Sequence, residues 1–307
     1  VIICVPTPLN KNREPDISYI IKSGEAILPH LHKGLLVVLE STTYPGTTDE
    51  DLRAVLERNG LKAGKDFNLA FSPEREDPGN PDSKVAIIPK VVGGYTPECQ
   101  RRAVELYGQA IKTIIPVSSC RAAEATKLLE NIFRGVNIAL VNEMKILFDQ
   151  MGLSMWEVIE AAKSKPFGFQ AFYPGPGVGG HCIPIYPRFY LWNDPQATVV
   201  RAAREANAGM PEHAVTLLNS ELGSLTGKKV AVLGISYRGG VKESAFSGVF
   251  PTVEGLVKKG AQVLVHDPMY TDDEIKSLGF TPYVIGQEVS GVILQADHKE
   301  YKELGSN

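Results

Sequence analysis

The sequence predicts an α/β protein in which two Rossmann-like, doubly wound lobes are joined by a long central helix and a helical domain. Short apolar runs alternate with helical patterns at the start of the chain, which is typical of a parallel sheet covered by helices. A second strand–helix–strand pattern begins near Gly227. Between the two, a helical pattern runs from Ala122 to Gln150 and is long enough to link two lobes.

Four apolar runs predict the strands of the first lobe, because each is followed by residues that end a strand. The runs are Val1–Val5, Leu35–Glu40, Phe67–Phe71 and Val91–Gly94. Helices are expected between them, over residues 17–31, 48–56 and 97–107. Because the chain starts inside this sheet, we expect it to lack the first half of the lobe, with the Gly-rich turn that holds a pyrophosphate.

Three loops follow predicted strands of this lobe and place polar side chains at the carboxyl edge of the sheet. They are Pro6–Pro8, Ser41–Thr48 and Ser72–Asn80. Ligands of doubly wound sheets bind outside the carboxyl ends of the strands. We therefore expect a ligand site at these loops.

The composition excludes several classes of protein. The 307 residues are 43% hydrophobic and 22% charged with a net charge of -3, so the chain is globular and has no basic excess for nucleic acid. The apolar runs are too short to cross a bilayer, and Val1–Val5 lacks the basic start of a signal peptide. The four cysteines form no CxxC pair, which argues against a metal site and favours a cytoplasmic protein with reduced thiols.

The central part of the chain predicts two further helices, over residues 155–162 and 197–206. Between them, Phe167–Pro187 is so rich in Pro, Gly and aromatic residues that no regular element is expected there.

The last lobe is predicted to begin with the strand Lys229–Leu233. A loop over residues 234–247, a helix to about Lys259 and the strand Gln262–His266 are expected to follow. The predicted domains are 1–118, 119–222 and 223–307, and we expect the last lobe to lack its C-terminal end.

Gly175, Gly177 and Gly180 match the G-x-G-x-x-G pattern of a dinucleotide-binding loop. The context argues against that function, because no strand is expected before the motif. In addition, Pro184 and Pro187 follow it where a helix would be needed.

The same segment leads to Cys182, which is the candidate nucleophile. Its glycines let the backbone turn tightly and approach a ligand closely. A cysteine in such a loop is accessible to a substrate, and a thiolate is a strong nucleophile. The residues alone leave open a tight surface turn with an incidental cysteine. A metal site at His181 and Cys182 is not expected, because no second cluster has ligand spacing.

A polar stripe on the central helix holds further candidates. Glu124, Lys127, Asn131 and Arg134 share one face at spacings of three and four residues. On that face, Lys127 could stabilise a developing oxyanion, and Asn131 could hold a sugar hydroxyl or a water. A solvated face of the helix explains the same pattern.

Glu74 is a further candidate, because it follows the end of a predicted strand. It either reaches the ligand site or is simply exposed to solvent.

Seven segments, in order along nearly the whole chain, resemble the UDP-glucose/UDP-N-acetylhexosamine 6-dehydrogenase family. In the first lobe they are VPTPL (Val5–Leu9), STTYPGTT (Ser41–Thr48) and SPER (Ser72–Arg75). Beyond it they are EATKLLEN (Glu124–Asn131), PGPGVGGHCIP (Pro174–Pro184), SYRGGVKES (Ser236–Ser244) and HDP (His266–Pro268). The segment that ends in the cysteine is the most specific.

The resemblance implies an NAD-dependent oxidation of the C6 hydroxymethyl group of a UDP-sugar to a carboxylate, through a thioester on Cys182. It implies that Thr42 positions a water, that Glu74 contributes to the active site, and that Lys127 and Asn131 stabilise oxyanions. The segment Pro174–Cys182, called the Cys loop below, resembles that of the UDP-N-acetylhexosamine branch more than that of the UDP-glucose branch.

The resemblance also implies binding residues and an assembly. Contacts with NAD are implied for Pro6, Thr7, Thr42, Glu74 and Lys242. Contacts with the UDP-sugar are implied for Arg75, Phe169, Tyr173, Gly175, Gly177, Gly179, His181 and Arg238. A homodimer through the central helix is expected.

Three residues depart from the family pattern. Tyr186 stands where the family commonly has an Asp that assists thioester hydrolysis, so hydrolysis is the step most affected. Arg238 and Lys242 stand where the family has Lys and Arg, respectively. Both exchanges keep the charge but change the hydrogen-bonding geometry.

Two other functions remain open at this point. One is a single-step hydroxyacid dehydrogenase of the 6-phosphogluconate type, which also has a Lys-x-x-x-Asn helix but needs neither a nucleophilic cysteine nor a second Rossmann-like lobe. The other is a non-catalytic nucleotide-sugar-binding protein, which the departure at Tyr186 would allow. Asp267, at the end of a strand, could also be mistaken for a ribose-binding acid.

Overall fold

The computed structural model describes residues 1–76 and 86–304, which form two compact units. The first unit contains Val1–Ile132 and Ile185–Ala197, and the second contains Phe133–Pro184 and Thr198–Asn307. The predicted loop Ser72–Asn80 lies outside the described residues from residue 77 onward.

The first unit contains a five-stranded sheet with the order β1-β2-β3-β4-β5. The strands are β1 (Ile2–Ile3), β2 (Leu36–Leu39), β3 (Asn68–Phe71), β4 (Lys90–Gly94) and β5 (Ile114–Val117). All four predicted strands are confirmed. β5 was not predicted, because Pro116 interrupts its apolar run. A proline is tolerated there because β5 lies at the edge of the sheet.

The sheet is not entirely parallel, which differs from the prediction. Three neighbouring pairs run parallel, but β3 and β4 are antiparallel, with Phe71 opposite Gly93. A parallel return needs a crossover, usually a helix. The described residues between these strands, 72–76 and 86–89, contain no helix.

Helices cover this sheet near the predicted positions. They are α1 (Ser18–Ile27), α2 (Arg53–Leu56) and α3 (Pro97–Tyr107). A π-helix at Thr47–Leu52 precedes α2, and a 3-10 turn at Leu28–His30 follows α1. The core contains fully buried side chains such as Leu39 and Phe71, each of which stabilises the fold by about 1.5–3 kcal/mol.

The central helices are α4 (Cys120–Gln150), α5 (Met155–Lys163), α6 (Cys182–Asn193) and α7 (Val199–Leu222). The prediction that Phe167–Pro187 holds no regular element is wrong at its end, because α6 begins at Cys182. Pro184 lies in the first turn, where its missing N–H group costs nothing. A helix therefore does follow the glycine motif, although no strand precedes it.

The second unit contains a three-stranded parallel sheet with the order β7-β6-β8. Its strands are β6 (Lys229–Leu233), β7 (Gln262–His266) and β8 (Gly291–Leu294), and its helices are α8 (Val249–Lys258) and α9 (Asp272–Ser277). A 3-10 turn at Lys299–Glu303 follows. The predicted bounds of β6 and β7 are confirmed. Within residues 1–76 and 86–304, every helix is too short or too polar to span a membrane.

Candidate active site

The loops after β1 and β2 are joined at the carboxyl edge of the first sheet. The amide of Val5 donates to Ser41 Oγ at 2.8 Å, and Thr7 Oγ1 donates to the carbonyl oxygen of Thr42 at 2.7 Å. Thr42 is 7% exposed. Two of the three loops predicted to form the ligand site therefore lie together.

The third loop is tied to the same edge by Lys90, which the sequence analysis missed. The ammonium group of Lys90 lies 3.3 Å from Glu40 at the end of β2 and 3.8 Å from Glu74 after β3. It also lies 4.9 Å from the ring centre of Tyr107. Lys90 is 7% exposed, so its ammonium group is largely shielded from solvent, whereas Glu74 is about half exposed.

Two neutral groups complete this cluster. The hydroxyl of Tyr107 donates to Glu40, and the thiol of Cys4 lies 3.8 Å from the same carboxylate. Burial, together with Glu40, raises the pKa of both Tyr107 and Cys4. Both groups therefore stay protonated at neutral pH, and Glu40 and Glu74 share the single positive charge of Lys90.

Glu74 also contacts the central helix α4. Lys127 Nζ donates to the carbonyl oxygen of Glu74 at 2.5 Å. The next residue, Arg75, pairs with Glu130 of α4 at 2.6 Å. One turn beyond Lys127, Asn131 is 3% exposed and donates to the carbonyl oxygen of Lys127 at 3.1 Å. The alternative interpretation, in which the polar stripe is only a solvated helix face, is therefore wrong for Asn131.

Glu124 anchors the Ser41–Thr48 loop to the start of α4. Its carboxylate accepts hydrogen bonds from the amides of Gly46 (2.8 Å) and Thr48 (2.9 Å) and from the Thr48 hydroxyl (2.7 Å). Burial raises the pKa of Glu124 to about 7, although these three donors favour the charged form. A titrating carboxyl group therefore holds the loop that contains Thr42.

In the second unit, the glycines of the Cys loop pack against the loop after β6. The amide of Gly180 donates to the carbonyl oxygen of Ala245 at 2.8 Å, and Gly180 has a φ of 78°. A Cβ atom on Gly179 would lie 2.5 Å from Tyr237 Cβ and 2.9 Å from the Phe246 carbonyl oxygen. Close packing between the two loops therefore requires glycine here, in addition to any approach to a ligand.

Cys182 is the first residue of α6 and has a free, partly exposed thiol. The preceding His181 is exposed and lies edge-on to Phe246, with ring centres 6.2 Å apart. Phe246 itself is 52% exposed and has a φ of 52°.

A buried Asp–His pair holds the loop after β6. Asp267 accepts hydrogen bonds from the amides of Ile235 (2.7 Å) and Ser236 (3.0 Å) and lies 3.1 Å from His298 Nε2. The amide of Gly240 donates to His298 Nδ1 at 3.2 Å. Asp267 is only 1% exposed, so its role is to hold the loop, not to bind a ribose.

The remaining predicted residues of the second unit have local partners. Arg238 lies over the Tyr237 ring at 5.8 Å, and Lys242 pairs with Glu274 at 2.6 Å. The hydroxyl of Tyr173 donates to a side chain of α5 at 2.9 Å. Phe169 is 42% exposed and lines a cavity of about 550 Å³ on α4.

The predicted site residues are divided between the two units. The first unit contains Pro6, Thr7, Thr42, Glu74, Arg75, Lys127 and Asn131. The second contains Phe169, Tyr173, Gly175, Gly177, Gly179, His181, Cys182, Arg238 and Lys242. The resemblance implies that Cys182 and Lys127 act on the same substrate, and this stays a prediction. Among residues 1–76 and 86–304, no cluster of His, Cys, Asp and Glu could hold a metal ion.

Three family models match the chain in the order of its sequence. They are the NAD binding domain (residues 1–111), the central domain (121–209) and the UDP binding domain (231–307) of the UDP-glucose/GDP-mannose dehydrogenase family.

Relatives and solved structures agree with these models. The chain is 35% identical to the UDP-N-acetyl-D-glucosamine 6-dehydrogenase of Pseudomonas aeruginosa, over 99% of this chain and 75% of the relative. It is also 35% identical to the UDP-N-acetyl-D-mannosamine dehydrogenase of Methanocaldococcus jannaschii, over 99% and 69%. The structure of the UDP-D-ManNAc dehydrogenase of Pyrococcus horikoshii matches with a TM-score of 0.88 at 33% identity, over 98% and 72%.

The fold and the comparisons together define an NAD-dependent oxidoreductase. The chain belongs to the UDP-glucose/GDP-mannose dehydrogenase family. It is an NAD-dependent nucleotide-sugar 6-dehydrogenase, which decides against a single-step hydroxyacid dehydrogenase and a non-catalytic binding protein.

Proposed function

We propose that this protein oxidises the C6 hydroxymethyl group of UDP-N-acetylglucosamine or UDP-N-acetylmannosamine to a uronic acid, through a covalent intermediate on Cys182. The observation that carries the proposal is the free, partly exposed thiol at the end of a Gly-rich loop and the start of α6. The names of the relatives from P. aeruginosa and M. jannaschii support these two sugars.

The first unit is proposed to hold the cofactor. Two molecules of NAD, bound one after the other, would each accept one of the two hydrides that leave C6. The exposed ring of Pro6, the hydroxyl of Thr7 and the exposed carboxylate of Glu74 offer the apolar face and polar groups that a nicotinamide riboside needs, at the edge where such sheets bind nucleotides. Thr42 and, from the second unit, Lys242 are proposed as further contacts.

Cys182 is proposed to hold the sugar between the two oxidations. After the first oxidation, the sulfur adds to the C6 aldehyde, the oxygen takes a proton, and a thiohemiacetal forms. The second oxidation removes a hydride from C6 and a proton from its hydroxyl, which leaves a thioester. Water then adds to the thioester, the C–S bond breaks, and the acid and the thiol are released.

Lys127 and Asn131 are proposed to stabilise the oxyanions of these steps. The bond from Lys127 to the Glu74 carbonyl oxygen and the burial of Asn131 restrict both side chains before the substrate binds. Donors that are already oriented are worth more than mobile ones, and the loss of one typically costs about 2.7–4 kcal/mol of barrier.

Thr42 and Glu74 are proposed to position the hydrolytic water. One carboxylate oxygen of Glu74 accepts from the amides of Arg75 and Glu76, both at 2.7 Å, and the other faces Lys90. These contacts hold a side chain that is 49% exposed.

Tyr186 is proposed to make thioester hydrolysis slow. Its ring packs edge-on to Phe189, 5.6 Å away, beside the buried side chains Leu128 and Ile185. A phenol in an apolar cluster does not replace the carboxylate that the family commonly has at this position. The intermediate should therefore accumulate before the acid is released.

The UDP-sugar is proposed to bind to the Cys loop and the loop after β6. The contacts proposed for it are Arg75, Phe169, Tyr173, Gly175, Gly177, Gly179, His181 and Arg238. Arg238 and the backbone amides of these loops suit a diphosphate.

A panel of UDP-sugars with NAD tests this proposal. We expect two NADH per sugar with an N-acetylhexosamine and none with UDP-glucose, whereas turnover of UDP-glucose alone would favour a UDP-glucose 6-dehydrogenase. The Cys182→Ser variant should release no acid, and Cys120→Ser is the matched control because Cys120 is buried in the core. Normal NADH output from Cys182→Ser would refute the covalent scheme.

A homodimer through α4 is proposed from exposed apolar side chains on this helix. Phe133, Leu140 and Leu147 are each about half exposed, between 47% and 56%. An apolar stripe on one helix can pair with the same stripe of a second copy. Leu140→Glu with Leu147→Glu should therefore convert a dimer to a monomer in light scattering, and an unchanged mass would contradict this interface.

The domain division at residues 118 and 222 and a cytoplasmic location are proposed as well. All four cysteines are free, as expected in a reducing compartment.

A further inference from the structure

Two buried side-chain amides connect the Cys loop to the helices of the second unit. Asn142 of α4 is fully buried, and Asn207 of α7 is 8% exposed. Asn142 Oδ1 accepts from the amide of Gly175 at 3.0 Å, and Asn142 Nδ2 donates to Asn207 Oδ1 at 2.9 Å. Asn207 Nδ2 donates to the carbonyl oxygen of Gly135 at 2.9 Å. The result is an unbroken chain of hydrogen bonds from the loop to α4.

The direction of this chain is fixed at both ends by the backbone. The amide of Gly175 can only donate, and the carbonyl of Gly135 can only accept. Each asparagine therefore has one possible orientation. Asn142 turns its oxygen toward Gly175 and its nitrogen toward Asn207, and Asn207 turns its nitrogen toward Gly135. A buried polar network in which every member is satisfied holds its parts rigidly.

The other end of the Cys loop is held separately, by Gly180 and Ala245. Between Gly175 and Gly180, a Cβ atom on Gly177 would lie 3.1 Å from the Gly248 Cα, so this stretch also packs against the second unit. Without the amide chain, the loop would keep its contacts near Cys182 and lose its anchor at Gly175.

We propose that Asn142 and Asn207 are positioning residues that fix the sugar-binding part of the Cys loop. The proposal rests on the proposed function, in which the backbone around Gly175 binds the UDP-sugar. The two residues act in series: Asn142 holds the loop, and Asn207 orients Asn142. Neither residue is proposed to contact the substrate or Cys182.

Steady-state kinetics of leucine variants test this proposal, because a merely structural pair would lower the melting temperature without changing the KM values of the folded enzyme. Asn142→Leu should raise KM for the UDP-sugar about tenfold and leave KM for NAD unchanged, because an unpaired amide of Gly175 lets the loop shift. Asn207→Leu should raise KM for the UDP-sugar only about threefold, because Asn142 keeps its contact with the loop.

The double variant shows whether Asn207 acts through Asn142 or independently of it. If Asn207 acts through Asn142, Asn142→Leu with Asn207→Leu should match Asn142→Leu alone. Independent effects would multiply to about thirtyfold, and that result would overturn the proposal. A wild-type KM for Asn142→Leu, or an equal rise of both KM values, would overturn it too.

Conservative variants keep the test decisive if a leucine variant fails to fold. Asn142→Asp keeps an acceptor for Gly175 but loses the donor to Asn207, so KM for the UDP-sugar should rise about threefold, as in Asn207→Leu. The shorter Asn142→Ser should behave like Asn142→Leu. A wild-type KM for the UDP-sugar in Asn142→Ser would contradict the role of the hydrogen bond to Gly175. Asn219→Leu on α7 is the matched control and should leave both KM values unchanged.

Protection of Cys182 from iodoacetamide provides a readout without turnover. In the wild type, UDP-N-acetylhexosamine should protect the thiol, and half-protection of Asn142→Leu should need about ten times more sugar. An unprotected wild type that also makes no NADH would overturn the proposed function and this inference together. A protected wild type with an unchanged variant would overturn this inference alone.

Discussion

The carboxyl edge of the first sheet is held by charges, whereas the Cys loop of the second unit is held by neutral groups. At the first, Lys90 joins Glu40 and Glu74, and Glu124 holds the Ser41–Thr48 loop. At the second, glycine packing and side-chain amides fix the backbone. The stability of the first sheet's edge should therefore depend on pH and on changes of charge. The stability of the Cys loop should depend on added side-chain volume.

The largest stability effect is expected from the buried cation. Lys90→Met removes the charge that Glu40 and Glu74 share, and breaking a buried pair costs about 3–5 kcal/mol. The exposed half of Glu74 is screened by solvent, so the lower end of this range is expected. Urea unfolding at pH 7 measures the loss.

Lys33→Met is the matched control for Lys90→Met. Lys33 pairs with Asp66 at 3.7 Å, but its side chain is 79% exposed, so the loss should be under about 1 kcal/mol. Equal losses in the two variants would contradict the distinct role of the buried cluster.

A pH-dependent effect of similar size is expected at Glu124. Its pKa is raised from 4.5 in the unfolded chain to about 7 in the fold, so the folded state binds the proton more tightly. This stabilisation is fully present below pH 4.5 and is lost as the pH rises through 7, a change of about 3 kcal/mol. Glu124→Gln should remove this part of the pH dependence.

Urea unfolding at pH 5 and pH 8 measures the effect at Glu124. The wild type should lose more stability between the two values than Glu124→Gln does. The same pH slope in both proteins would show that Glu124 does not titrate in this range.

A smaller effect is expected on the neutral side of the comparison. Gly179→Ala forces a Cβ atom to within 2.5 Å of Tyr237 Cβ, and such overpacking costs about 1–3 kcal/mol. This loss should not depend on pH, because no ionisable group is changed. Gly209→Ala on α7 is the control, since its Cβ would meet nothing within 4 Å. A melting temperature equally lowered in both variants would contradict close packing of the Cys loop.

Local patterns predicted much of this molecule. Apolar runs located the strands, with bounds correct for β6 and β7, and spacing placed Lys127 and Asn131 on one face of α4. Resemblance of short motifs identified Cys182.

The missed features depend on residues that are distant in sequence. In the sequence, Lys90 resembles any lysine beside a strand. Only the fold brings Glu40 and Glu74 next to it. The antiparallel direction of β4 depends on its pairing with β3, and Asn142 and Asn207 resemble ordinary polar residues of helices. These features all depend on tertiary contacts, which the periodicity of the sequence does not indicate.

Intact-protein mass spectrometry tests the central claim most directly. After the protein is quenched during turnover with UDP-N-acetylhexosamine and NAD, a sugar adduct should be found on Cys182, because Tyr186 is expected to slow its hydrolysis. Cys182→Ser should show neither the adduct nor acid release. Complete oxidation to the acid by the wild type with no adduct, together with full activity of Cys182→Ser, would contradict the account.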